Sequence, residues 1–182
     1  MKERQNNRKV YILKSFNCIL NEAYPKIEVT KHSKELSDKL SVLAFGKDGE
    51  LTAVLQYTYQ HVSLPPKFAY AADILECISV TEMKHFEILS KLINILGGDC
   101  RIAVCDRSRY VYWNGACVDY SQNFLKMLRD DIRGEKKAIA MYNNFIDRCD
   151  DHKINALIKR IIKDEEHHLG LLYSLYEDAS ER

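Results

Sequence analysis

Four stretches of the chain carry apolar residues at the three-, four- and seven-residue spacing of one helical face, and a glutamate interrupts each of them. The first stripe reads Leu36, Leu40, Leu43, Gly46, Glu50, Ala53, Val54 and Tyr57. The second reads Leu75, Ile78, Glu82, His85, Phe86, Leu89 and Ile93. The third reads Leu128, Ile132, Glu135, Ala138, Ile139, Tyr142 and Ile146. The fourth reads Ile154, Leu157, Ile158, Ile161, Ile162, Glu165, His168, Leu169 and Leu172. A helix turns about 100° per residue, so each set shares a face, and the opposite faces are charged. The pattern predicts an all-α chain folded as a four-helix bundle over residues 33–178. An N-terminal extension (1–32) and a short C-terminal tail (179–182) flank it.

Punctuation supports the same division. Pro65-Pro66 ends the first long helix, Gly97-Gly98 caps the second, and Asp150-Asp151 forms the turn between the third and fourth. From Asp99 to about Tyr120 the chain is neither helical nor a long strand, and it is rich in aromatics and β-formers. About twenty extended residues span a bundle of roughly 40 Å. A crossover of that length between helices two and three starts the second hairpin at the same end as helix two.

The glutamates require an explanation, because an unpaired buried carboxylate is costly and takes up a proton. Their surroundings repeat. Glu82-Met83-Lys84-His85 is matched by Glu165-Glu166-His167-His168. Gly49-Glu50-x-x-Ala53-Val54-x-x-Tyr57 is matched by Gly134-Glu135-x-x-Ala138-Ile139-x-x-Tyr142. The chain is thus two copies of one unit: a helix with one Glu, then a helix with Glu-x-x-His. One Glu-x-x-His alone reads as a solvated pair. Two copies with their paired Glu helices read as a dinuclear metal centre ligated by Glu50, Glu82, His85, Glu135, Glu165 and His168. Two divalent cations offset four carboxylate charges. Asp131 shares the face of Glu135 and competes with it for a ligand role. Glu166 and His167 lie off the stripe and are expected at the surface. Tyr57 and Tyr142 fall seven residues past Glu50 and Glu135, where their hydroxyls can reach metal-bound carboxylates.

Lys and Arg number 27 against 26 Asp and Glu, a net charge of +1, so overall charge gives no argument for a nucleic-acid or anionic-membrane partner. Met1 to Lys14 is polar and basic and reads as a solvated tail, with no signal peptide or membrane span after it. The expected location is cytoplasmic. The six cysteines (Cys18, Cys77, Cys100, Cys105, Cys117 and Cys149) include no C-x-x-C pair, which excludes a rubredoxin-type iron site or zinc ribbon. They are expected reduced and partly buried, with Cys100 and Cys105 near enough to meet in a loop.

Between Ser33 and Glu177 the chain resembles the ferritin-like superfamily of di-iron carboxylate proteins. The segments ELTAVLQY, EMKH and DEEHH are similar to bacterioferritin and rubrerythrin domains. YPKIEV, LGGDC and YWNGACVDY resemble small clostridial-type ferritin-like proteins, a group that stands beside rubrerythrins and manganese catalases. The resemblance implies that Glu82 and Glu165 bridge two metals. Glu50 and Glu135 would be terminal carboxylates, and His85 and His168 would each supply one nitrogen. It implies two iron ions, or two manganese ions, reacting with oxygen or hydrogen peroxide, and a redox role for Tyr57. It implies a rubrerythrin-like oxidoreductase, with bacterioferritin-like storage and manganese catalase-like chemistry as alternatives. No rubredoxin domain accompanies the bundle, so electrons would come from an external donor. Met83, the candidate haem ligand, lies about 100° from its ligating neighbour, and haem is not expected. The fourth helix runs to about Tyr176, and the tail EDASER is too short and polar to pack as a fifth. A homodimer or small homo-oligomer is therefore expected.

Overall fold

A computed structural model of the chain describes residues 17–106 and 109–181. Its helices are α1 (Lys34–Phe45), α2 (Glu50–Ser63), α3 (Ala69–Ile95), α4 (Phe124–Ile146) and α5 (His152–Ser180). A hairpin of β1 (Ala103–Asp106) and β2 (Arg109–Tyr112) lies between α3 and α4. Side chains cap the helices where the sequence places Ser, Asn and Asp. Ser33 accepts from the Leu36 amide, Asn123 from Lys126, and Asp151 from Lys153 and Ile154. Gly97, at φ 88°, ends α3 in the left-handed conformation that glycine tolerates best.

The first arm of the bundle is two helices, not the single one its unbroken stripe predicts. α1 stops at Phe45 and α2 starts at Glu50. The reason is close backbone approach. A Cβ on Gly46 would meet the Val42 carbonyl oxygen at 2.3 Å, and one on Gly49 would meet that of Leu43 at 2.3 Å. The fold into which the chain tightens there is open only to glycine. One result is that Glu50 opens α2, where the helix dipole favours a negative charge. Both pieces pack on α3.

Phe68, just before α3, stacks on Phe124 at the start of α4, with ring centroids 4.0 Å apart. α3 and α4 therefore begin at the same end, and the crossover returns along the length of the bundle, as expected. It is not a plain extended span. The β1–β2 hairpin rests on α1. The stretch beyond it docks on α2: Trp113 Nε1 donates to Thr52 Oγ1 at 2.8 Å, and the Gln56 amide exchanges two hydrogen bonds with the Asp119 backbone.

Two apolar layers fill the interior. One holds Leu40, Phe45, Leu89, Leu92, Leu157, Ile158 and Ile161. The other holds Ile74, Leu75, Ile78, Leu128, Leu172 and Leu175. The glutamates and histidines of the four stripes form a polar layer between them.

Residues 17–32 belong to the same packed body. Tyr24, Ile27 and Val29 lie against the first apolar layer. Arg160 donates to the carbonyls of Leu20 and Glu22, and Thr30 donates twice to Asp151 Oδ2. The solvated tail expected for Met1 to Lys14 falls outside the described residues. Two further expectations are corrected. Cys18 and Cys77 form a disulfide, with Cα atoms 5.8 Å apart, where reduced cysteines were expected. The bond joins partners 59 residues apart, a separation with no spacing signal. Cys100, Cys105, Cys117 and Cys149 are free thiols. The last helix continues to Ser180, past the Tyr176 expected. Among the described residues no helix is long and apolar enough to cross a membrane.

Candidate metal centre

All six side chains singled out on the stripes meet in the polar layer. Glu50 comes from the first turn of α2, Glu82 and His85 from α3, Glu135 from α4, and Glu165 and His168 from α5. None is more than 4% exposed. They fall into two groups. Glu50 and His85 gather with Glu82 and Glu165, and Glu135 and His168 gather with the same two glutamates. In each group the donor atoms lie within 4.8 Å of one another.

The two shared carboxylates each turn one oxygen to either imidazole. His85 Nδ1 lies 3.0 Å from Glu165 Oε1 and 3.2 Å from Glu82 Oε2. His168 Nδ1 lies 2.9 Å from Glu82 Oε1 and 3.3 Å from Glu165 Oε2. Glu50 Oε2 completes the first set at 3.7 Å from His85 Nδ1. Donors that share an ion at about 2.1 Å stand about 3 Å apart, which is this spacing. Glu50 Oε2, 3.7 Å from His85 Nδ1, is buried with no hydrogen-bond partner among the described residues, while Glu82 Oε1 and Glu165 Oε1 have only the imidazole nitrogens beside them. A buried carboxylate oxygen without a hydrogen bond is costly, and a cation removes the cost. The donor set fits two ions of a metal that accepts oxygen and imidazole together.

The tyrosines cross between the repeat units. Tyr142 Oη donates to Glu50 Oε1, and Tyr57 Oη donates to Glu135 Oε1. Each unit thus orients the terminal carboxylate of the other. Glu166 is exposed and His167 half-buried, its Nε2 2.8 Å from the Asn17 carbonyl. Met83 is half-exposed on the outer face of α3. Asp131 is buried but joins neither group; Gln60 Nε2 donates to its Oδ1 at 2.7 Å. Burial pushes the Asp131 carboxyl up to about 7.

The sequence stripes missed what lies behind the histidines. His85 Nε2 faces Asp164 Oδ2 at 3.3 Å and Tyr24 Oη at 3.1 Å. Arg160 Nη1 holds Asp164 Oδ2 at 2.7 Å, and the Leu20 amide donates to Oδ1 at 2.9 Å. His168 Nε2 faces only the Cys18 carbonyl, at 3.0 Å, among the described residues. Both arrangements hold the ring proton on Nε2 and leave Nδ1 for the centre.

Protons balance the charge when metal does not. Burial, then the charges of Glu82 and Glu165, holds Glu50 well above the usual carboxylate range, and Glu135 likewise. Burial also disfavours ionised Glu82, but the imidazoles outweigh it and hold its carboxyl low. Burial disfavours protonated histidine as well, yet the facing carboxylates raise both, His168 to about 9. Protons held on Glu50, Glu135 and the two imidazoles thus offset the carboxylate charge that dications would otherwise offset.

A cavity of about 190 Å³ opens between α2 and α4 and reaches Glu50, Glu82, Glu135 and Glu165. Cys117, Asp119 and Ser121 of the crossover line its outer part.

Comparison with known proteins agrees with this architecture. CotJC of Bacillus subtilis is 29% identical over 161 residues, covering 79% of this chain and 82% of that protein. KatB, a manganese catalase from Anabaena, superposes with a TM-score of 0.76 at 18% identity, over 88% of this chain and 80% of that one. The bacterioferritin of Desulfovibrio desulfuricans superposes with a TM-score of 0.66 at 25% identity, over 81% of this chain and 84% of that one. The model of the ferritin-like domain matches residues 48–180, which include the four helices that carry the candidate donors, so the chain belongs to the ferritin-like family.

Proposed function

We propose that the chain holds two metal ions, iron in the first instance, and works as a rubrerythrin-like oxidoreductase on oxygen or hydrogen peroxide. The observation that carries this reading is the pair of donor groups sharing Glu82 and Glu165, at the floor of a cavity with room for a small molecule. Two adjacent ions of a redox-active metal supply two electrons together to such a substrate. The residues of the chain do the rest. Glu82 and Glu165 keep the two half-sites at a fixed separation. Tyr57 and Tyr142 hold Glu135 and Glu50 in orientation and keep a hydroxyl proton beside each. The apolar layers on either side exclude bulk water. The electrons come from an external donor, and the protein acts in the cytoplasm as a homodimer or small oligomer. In the bacterioferritin of Desulfovibrio desulfuricans the corresponding fold carries a diiron site, which supports iron.

The second reading is a manganese catalase-like enzyme, supported by the fold shared with KatB over 88% of the chain. The donor set accepts manganese as well as iron. Metal analysis of protein from its native host, followed by peroxide assays, separates the two. The iron reading expects two irons per chain and peroxide consumed only with a reductant. Oxygen released from peroxide without a reductant, with manganese bound, replaces it by the second. A large hollow particle that takes up iron far beyond two ions per chain overturns both in favour of storage.

A further inference from the structure

Gln60 and Asp131, which line the cavity above the centre, carry two buried oxygens that the six candidate donors do not engage. Gln60 stands one turn past Tyr57 on α2, and Asp131 stands one turn before Glu135 on α4, so the pair faces across the seam between the two helices. Gln60 Nε2 donates to Asp131 Oδ1 at 2.7 Å. That bond leaves Gln60 Oε1 and Asp131 Oδ2 with no hydrogen-bond partner among the described residues. The two residues are only 2% and 6% exposed, and both line the cavity. Two unpartnered acceptors on a bonded pair of side chains, one of them a carboxylate oxygen, are costly to bury unless a donor or a cation meets them. The other charged groups at the cavity are exposed or already engaged. Asp130 pairs with Lys126 and Arg133, Asp119 with Lys126, and Asp48 with Lys137, while Lys47 is exposed.

We propose that Asp131 Oδ2 and Gln60 Oε1 form a third, transient site for a divalent cation, through which metal passes from the mouth of the cavity to the Glu135 side of the centre. The proposal rests on the reading that the six buried side chains hold two ions. Oxygen donors in small number, from one carboxylate and one amide, bind a divalent cation weakly enough for it to move on. Glu135, one helical turn further along α4, is the next acceptor on the path. The charge of Asp131 then matters for how fast the centre fills and not for how much it holds.

Anaerobic stopped-flow loading of the metal-free protein with cobalt(II), read from visible absorption, tests this. Asp131→Asn keeps the shape and the link to Gln60 and removes the charge. It should slow filling by about tenfold or more while the end-point stays at two ions per chain. Asp130→Asn, at the mouth, should leave the rate nearly unchanged. Equal slowing by Asp130→Asn would assign the effect to general charge and overturn the proposal, as would an unchanged rate in Asp131→Asn. Cobalt-soaked crystals of the unaltered protein give an independent reading that does not depend on a variant folding. Anomalous density between Asp131 and Gln60 at high cobalt supports the site, and its absence at that concentration counts against it. Failure of the unaltered protein to take up two cobalt ions would instead overturn the reading of the centre itself.

Discussion

The two halves of the centre are built from the same repeat, yet they are held differently. On the inward side they match: each has one terminal glutamate, one Nδ1 and a share of Glu82 and Glu165. On the outward side they part. His85 leans on a carboxylate that is itself gripped by Arg160, Tyr24 and the Leu20 amide, whereas His168 leans on a peptide carbonyl. Despite its burial, Asp164 is held far down the carboxylate range by His85, Arg160 and Tyr24, so the group behind His85 is fully charged. A charged partner makes an imidazole a stronger donor to metal than a neutral one does. Duplication supplied the ligands in pairs. The partners behind them are not paired: Asp164 and Arg160 lie on α5 beside Glu165 and serve His85, while Tyr24, Leu20 and Cys18 come from the segment ahead of the repeat. The half-site of His85 is thus expected to bind its ion more tightly.

The largest effects should come from breaking the parts the halves share. Replacing Glu82 or Glu165 with Ala removes a donor from both groups, and metal analysis should find both ions lost. His85→Ala and His168→Ala should each lose one ion and keep the other, whereas Glu166→Ala should keep both. Equal behaviour of Glu165→Ala and Glu166→Ala would mean the wrong face of α5 has been assigned to the centre.

Next is the exchange of protons for metal, which both halves should show. Glu50, Glu135, His85 and His168 all hold protons above their ordinary ranges in the folded, metal-free protein. A raised value stabilises the fold at low pH, and that contribution is lost as pH rises through it. The melting temperature of the metal-free protein should therefore fall as pH climbs from about 5 towards about 9. Metal affinity should rise over the same window. Loading dications should release protons, countable with a pH indicator. Release near zero would contradict the neutralised arrangement.

A finer test asks whether the asymmetry has energetic weight. Asp164→Asn removes the charge behind His85 and leaves the surroundings of His168 alone. Calorimetric titration should show one ion weakened by about 10–100-fold and the other little changed. Equal weakening of both ions would erase the proposed difference. The smallest effect should come from the crossed tyrosines. Tyr57→Phe and Tyr142→Phe each remove one hydrogen bond, worth about 1 kcal/mol, so each should lower the melting temperature by about 2–4 °C. A much larger loss for one of them would reveal a second asymmetry.

The bundle and the six inward-facing side chains could be read from the sequence because both follow the 3.6-residue period. A residue that must face the core announces itself by where it falls in a stripe. Asp164 did not, since it sits one position before Glu165, off the apolar set. With Arg160 it forms a pair four residues apart that looks the same as a solvated surface pair. Only the chain folding back from 140 residues away, with Tyr24, buries it. The disulfide of Cys18 and Cys77 was hidden for the same reason, because no local pattern encodes a contact between an irregular segment and a distant helix. The break after Phe45 was hidden differently. Gly46 and Glu50 keep the helical spacing, so the stripe runs through a place where the backbone does not.

The strap formed by residues 17–30 also fixes when in the life of the chain the centre can exist. Its bonds run to residues 151–168: Thr30 to Asp151, Leu20 to Arg160 and Asp164, and Cys18 to His168. During synthesis the strap leaves the ribosome well before α5, the helix it needs. Until α5 emerges, Glu50, Glu82 and His85 have neither Glu165 to share nor Asp164 to steady the ring. Contacts of such long sequence separation form late and slowly. A nascent chain that lacks α5 is thereby unable to gather either donor group, and metal uptake is expected of the completed fold rather than of the growing one.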